Sequence, residues 1–202
     1  MAEYKDKHGL FQAKKVKEKK VEKRVIFKNQ DIEDSINRIA DEIVKKNDTL
    51  ENVVLVGIRT GGAFLARRLQ ESINRLKSVE IPAGALDITL YRDDWTRIDS
   101  APIVGKTDLP FSVDDKTIIL IDDVLFTGRT VRAAMDALID FGRPRKIELA
   151  ILVDRGDNDR ELPIKANYVG GEWNISPHET INVYLKEDGH EDHVTIEEKR
   201  TG

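Results

Sequence analysis

Residues 117–130 read TIILIDDVLFTGRT. The apolar run Ile118–Ile121 predicts a buried strand, and Thr-Gly-Arg-Thr ahead of an amphipathic segment predicts a short loop opening a helix. Asp122 and Asp123 alternate in direction if the strand persists, so at most one faces the core. Side by side, two ionised carboxylates repel each other unless cations or hydroxyl donors offset them. The loop four residues on has the opposite character. Gly128 lets the backbone pass close to a ligand, helix-start amides point outward with the positive end of the dipole, and Thr127 and Thr130 add hydroxyl donors. Its natural guest is a phosphate monoester. Taken alone, TGRT is equally a capped tight turn, and the acids are equally two solvated groups at a strand end. Taken together, an anion nest and an acid pair suited to a sugar diol describe a ribose 5-phosphate cradle, in which Mg²⁺ would neutralise the acids directly or through water.

Outward from this stretch the chain alternates. Upstream, NVVLVGIRTGG is a β-branched run into a glycine pair, followed by the helical FLARRLQESINRL. Before it, Ile32, Ile36, Ile39, Ala40, Ile43 and Val44 recur at three- and four-residue steps, a helix for which Asp31 is the expected cap. ALDITLYRDDW alternates apolar and polar residues and predicts a strand with one exposed face, and the polar stretch 92–116 is broken by Pro102, Gly105 and Pro110. Downstream, TVRAAMDALIDFG predicts a helix ended by Gly142 and Pro144. KIELAILVD predicts a third strand, and ANYVG and INVYL short late ones. Strands alternating with helices predict an α/β fold with a mostly parallel sheet flanked by helices. In such sheets the ligand crevice lies beyond the carboxyl ends of the strands. RTGG (Arg59, Thr60, Gly61, Gly62), DDVLFTGRT and DRG all fall there. RTGG is a second anion-loop candidate, and two such loops flanking one crevice suggest a substrate with phosphates at both ends.

The 202 residues suit one domain, and no 18-residue apolar run exists to cross a membrane. With no cysteine, disulfides, zinc–thiolate sites and thiol catalysis are excluded. The N-terminal MAEYKDKHGLFQAKKVKEKK has no apolar core of the kind a secretory signal needs, so a soluble cytoplasmic protein is expected. Residues 1–24 hold nine Lys/Arg against four acids, a net of +5, which leaves −9 on the rest of a chain whose total is −4. That segment reads as a basic, flexible arm preceding a domain over 25–202.

IILIDDVLFTGRT resembles the signature of the type I phosphoribosyltransferases, which bind 5-phosphoribosyl 1-pyrophosphate (PRPP). VGIRTGGAFLARRL, DITLYRDD, the segment from DDVLFTGRT through ILVDRG, and RELPIKANYVG are similar to blocks of the branch that regulates pyrimidine operons and also converts uracil to UMP. The likeness spans roughly residues 25–185. It implies a single-domain type I phosphoribosyltransferase fold with a mobile hood loop at about 92–116. It places the 5-phosphate and ribose on Asp122, Asp123, Val124, Leu125, Phe126, Thr127, Gly128, Arg129 and Thr130. Pyrophosphate and Mg²⁺ fall against Arg59–Gly62, with Arg92 reaching pyrophosphate from the hood. Asp122, Asp123 and Arg92 are the expected catalytic groups, the two acids holding Mg²⁺ through ribose or water. The base is expected against Phe126, Asp154, Arg155, Leu162, Pro163 and Ile164. Hypoxanthine and guanine relatives carry an acid where Phe126 stands, so a pyrimidine is the better guest. Two departures stand out. Many relatives have a basic residue in place of Gly61, and VDRGDNDRELPI carries extra residues. The resemblance also implies a homodimer or higher oligomer and a pyrimidine-leader RNA partner, for which Arg38, Lys45 and Lys46 are the first helix's positive groups. The rival readings are an RNA-binding attenuator whose PRPP site serves as a nucleotide sensor, and a transferase for another base.

Overall fold

The apolar runs that mark the strands form the interior of a five-stranded parallel sheet. The structure, a computed structural model, describes residues 23–93 and 105–198. In chain order the elements are β1 (Lys23–Lys28), α1 (Asn29–Lys46), β2 (Val53–Ile58), α2 (Gly61–Lys77), β3 (Ala83–Leu86), β4 (Thr117–Leu125), α3 (Arg129–Ile139), β5 (Lys146–Asp154), β6 (Tyr168–Glu172), β7 (Glu179–Tyr184) and β8 (His193–Glu198). The parallel sheet runs β3-β2-β4-β5-β6, and β1, β8 and β7 make a separate antiparallel sheet.

β2 is buried at all six positions because both of its faces are covered. Val53, Leu55, Ile119, Ile121, Ala150 and Leu152 pack on one side with Ile32, Ile36 and Ile43 of α1 and Leu65, Leu69 and Ile73 of α2. Their strand neighbours Val54, Val56, Ile118, Leu120 and Ile151 pack on the other side with Val131, Ala134 and Leu138 of α3. The small sheet joins the first of these layers through Phe27, Ile181, Val194 and Ile196.

Three expectations change. α1 begins at Asn29, and Asp31 is its third helical residue, accepting the Lys28 N–H at 2.8 Å. The acid still satisfies a helix-start donor, reaching back from inside the first turn. ALDITLYRDD does not continue as a strand. β3 stops at Leu86, and residues 89–91 form a 3₁₀ turn because the Asp87 carboxylate takes the Thr89 N–H and the Gly105 N–H, both at 2.8 Å. Finally, β1 takes in Lys23 and Arg24, so two residues read with the arm pair instead with β8, Lys23 opposite Glu197 and Arg24 opposite Ile196. The rest of the arm and the centre of the hood loop, 94–104, lie outside the described residues.

Candidate active site

β2, β4 and β5 are parallel neighbours, so the segments that follow their carboxyl ends converge on one edge. At the end of β4, Asp122 is buried with 6 % exposure and Asp123 is partly buried. The Asp123 N–H donates to Asp122 Oδ1 at 3.0 Å, and the Val124 N–H donates to Asp123 Oδ1 at 2.7 Å. Burial and the adjacent Asp123 charge push the Asp122 carboxyl well above the usual carboxylate range, with the positive charge of Arg92 acting against them. Burial also raises Asp123, opposed by its backbone donors and reinforced by Asp188. Two acids this strained in the charged form have a strong demand for hydroxyl donors or a cation.

Five residues after Asp123, Gly128 adopts φ +91° and opens α3. A Cβ here would force a left-handed conformation that L-residues rarely take. The loop and first turn, with Arg92, Asp93 and residues 124–131, line a cleft of about 270 Å³. Arg129 pairs with Glu161 at 2.5 Å and Asp93 at 2.6 Å, so its charge is matched by acids on two other segments. Thr127, Gly128, Arg129 and Thr130 all line this cleft, and the Arg129 N–H donates to Thr127 Oγ1 at 3.4 Å.

Gly57 and Gly62 are what bring the RTGG segment to the acids. A Cβ on Gly62 would lie 2.3 Å from the Ile121 carbonyl oxygen, and one on Gly57 would lie 2.3 Å from the Gly62 carbonyl oxygen. The backbone of the first turn of α2 therefore rests directly on β2 and β4. Gly61 leaves space beside Asp123, whose Oδ2 would be 2.4 Å from a Cβ at that position. Arg59 is exposed and donates through Nε to the Lys106 carbonyl at 2.9 Å, which joins the hood loop to this edge.

After β5, the loop 154–164 packs against the 126–130 loop. The Arg155 guanidinium lies 3.8 Å from the Phe126 ring centroid, a cation–π stack, with Arg155 only 3 % exposed. Asp154 accepts from Arg160 at 2.5 Å and from the Gly156 N–H at 2.9 Å. Leu162 and Ile164 are half-buried against Gly128, while Pro163 is exposed. Among the described residues, the Nε atoms of Arg155 and Arg160 are buried side-chain donors with no acceptor. Such an orphan costs about 1–3 kcal/mol, a cost that functional sites tolerate.

Comparison with known proteins fits this geometry. A phosphoribosyl transferase domain matches residues 24–188. The bifunctional protein PyrR of Syntrophobacter fumaroxidans is 50 % identical over 175 residues, covering 87 % of this chain and 93 % of that protein. PyrR of Clostridioides difficile is 51 % identical over 178 residues, covering 88 % and 99 %. The chain belongs to the PyrR family of phosphoribosyltransferases. A hypoxanthine phosphoribosyltransferase of Staphylococcus aureus shares the fold, with a TM-score of 0.63 at 22 % identity over 85 % of this chain and 90 % of that one. That of Trypanosoma cruzi gives 0.65 at 16 % identity over 87 % and 97 %.

In this member of the PyrR family, the acid pair, residues 124–130, Arg59–Gly62, Arg92 and the 154–164 loop share one edge of the sheet. The three basic residues of α1 do not lie with them. Arg38 donates to the β6 carbonyls of Val169 at 2.9 Å and Gly170 at 2.5 Å, and Lys46 pairs at 3.1 Å with the buried Glu148, over the Tyr168 ring. Lys45 stands in the last turn of α1. Sequence reasoning missed Arg160, which sits in a run of charged residues and whose burial depends on a neighbouring loop. It also missed Arg68 of α2, which clamps the small sheet through Glu187 (2.8 and 2.5 Å) and Asp192 (2.5 and 2.9 Å).

Proposed function

We propose that the protein is a uracil phosphoribosyltransferase, forming UMP and pyrophosphate from uracil and PRPP. The observation that carries this reading is the pairing of a buried acid couple with an anion loop at the end of one strand, with Phe126 between them. In this assignment the Thr127–Thr130 loop holds the 5-phosphate and Asp122 and Asp123 hold the ribose hydroxyls. Arg59–Gly62 and Arg92 receive pyrophosphate. Uracil N1 forms its bond to C1 of the ribose as the C1–oxygen bond breaks. Pyrophosphate leaves with that electron pair, and the N1 proton passes to solvent or a base. Charge develops on the leaving group, which is where Arg59 and Arg92 act. Closure over the site would keep water from C1 and so prevent hydrolysis.

Among the described residues no set of three or more metal-ligating side chains comes together. Asp122 and Asp123 are adjacent hard-oxygen donors, which suits an ion that completes its shell with substrate oxygens and water, as Mg²⁺ does. Asp122 and Asp123 would hold it, and when bound it would screen the pyrophosphate charge. The ring of Phe126 offers the base an apolar surface with no proton acceptor, which suits a pyrimidine over a purine imidazole. Incubation of the protein with PRPP, Mg²⁺ and separately uracil, hypoxanthine, guanine or orotate tests the assignment. UMP alone is expected, and product only with a purine would overturn it.

The PyrR relationship also supports a UMP-responsive RNA-binding role in pyrimidine gene regulation, with oligomers of the chain as the binding form. Filter binding to a pyrimidine-leader RNA with and without UMP tests it. Binding that UMP does not strengthen would remove the role.

A further inference from the structure

The loops that follow β4 and β5 are tied together beneath the expected base subsite, and Arg160 makes the central tie. Its side chain is only 8 % exposed. One terminal nitrogen donates to the Phe126 carbonyl. The other donates to Asp154 Oδ1 at 2.5 Å and to the Gly156 carbonyl at 3.3 Å. The amides of the next two residues, Glu161 and Leu162, donate to the Thr127 carbonyl at 3.1 and 3.3 Å. Arg129 reaches back to Glu161, and Leu162 and Ile164 close over Gly128. Two consecutive carbonyls of the phosphate loop are thus pinned by the base loop.

Pinning those carbonyls has a direct consequence for anion binding. A trans peptide is planar, and its C=O and N–H point in opposite directions. Fixing the Phe126 and Thr127 carbonyl oxygens therefore fixes the N–H groups of Thr127 and Gly128, which are donors in the anion loop. We propose that Arg160 is a positioning residue that couples the two subsites. A base seated on the 154–164 loop sets the 126–128 peptides and tightens the grip on the 5-phosphate, although Arg160 touches neither ligand. This rests on the assignment of uracil and PRPP above.

The test uses the full chain and Arg160→Lys. Lysine keeps the charge and can reach Asp154, but one ammonium lacks the fork that serves Asp154 and the Phe126 carbonyl together. Calorimetry measures ribose 5-phosphate affinity with and without saturating uracil. In the wild type, uracil is expected to tighten ribose 5-phosphate by about five-fold or more, the usual size of coupling between sites. In Arg160→Lys the effect should fall to within about two-fold, with the KM for uracil and for PRPP both raised. Wild-type coupling and unchanged KM values in the variant would overturn the proposal. A rise confined to the uracil KM would also overturn it, since that marks a direct base ligand. If Arg160→Lys does not fold, Asp154→Asn loosens the same guanidinium. Loss of coupling is expected there too, and full coupling refutes the idea. Wild-type turnover separates the two levels: no UMP from uracil withdraws the base assignment and the inference with it, whereas normal turnover with unaltered coupling in the variants withdraws the inference alone.

Discussion

Gly62→Ala puts the backbone packing that builds the site to a quantitative test. The added Cβ would stand 2.3 Å from the Ile121 carbonyl oxygen and 3.1 Å from the Asp122 Cα. Ordinary contact needs roughly 3.4 Å, so the first turn of α2 must retreat from β4 by about 1 Å. Both atoms are backbone, and no side chain can swing aside to absorb the strain. Overpacking of this kind costs about 1–3 kcal/mol, offset by up to about 1 kcal/mol from the better helix propensity of alanine. At this chain length the net corresponds to a fall in Tm of up to about 12 °C. Activity should suffer more, because the retreat separates Arg59–Gly62 from Asp122 and Asp123, and a misplacement of about 1 Å can cost on the order of 100-fold in rate. Thermal melting and steady-state kinetics on the same preparation check both, at a temperature where the variant is fully folded. A variant with lowered Tm and wild-type kcat/KM for PRPP would show that the spacing between α2 and β4 does not set the chemistry.

Asp122→Asn should stabilise the ligand-free protein while abolishing turnover. The folded-state pKa of Asp122 is raised, so its contribution to stability is fully present below the ordinary Asp value and is lost as pH rises through the raised one. The variant's advantage in Tm should therefore grow as pH rises from the ordinary Asp value through the raised one; melts that differ equally at acid and neutral pH would contradict this. Arg68→Met leaves Asp192 buried beside an apolar side chain and should cost about 3–5 kcal/mol, a fall in Tm of roughly 10 °C. Arg68 holds the Glu187 carboxyl below its usual range. At Asp192 burial pushes upward, but Arg68 and the Lys186 N–H outweigh it. The wild-type advantage over Arg68→Met should accordingly be present at neutral pH and shrink as pH falls through those lowered values. Removal of residues 1–22, which precede β1, should leave uracil-dependent turnover within about two-fold of wild type; a large loss would make the arm part of the catalytic assembly.

The parallel sheet was legible because its strands are buried on both faces and read as unbroken apolar runs, as in Val53–Ile58 and Ile118–Ile121. The site was legible for a related reason. Glycines and acids at strand ends interrupt those runs where nothing in a plain core calls for them. The antiparallel sheet was harder to see. KRVIFK and HVTIEE are short and carry charge at their ends, and they pair across most of the chain, Lys23 with Glu197. No local pattern announces a partner that far away. At Asp87 a side chain competing for backbone N–H groups ended a strand that period-two alternation had extended. Arg68 and Arg160 were hidden by composition. In a chain with 33 Lys and Arg, that these two are largely shielded from solvent is decided by the packing of α2 on the small sheet and of one loop on another.

The central claim is that Asp122, Asp123 and the Thr127–Thr130 loop hold PRPP for transfer to a pyrimidine. Its most direct test is uracil-dependent release of pyrophosphate from PRPP, measured for the wild type and Asp123→Asn side by side. Losing one charge-assisted hydrogen bond to the ribose should cost about 1.5–3 kcal/mol, a fall in kcat/KM of roughly 10- to 150-fold, with little change in Tm. Uracil-dependent turnover that survives in Asp123→Asn within a few-fold of wild type would contradict the account.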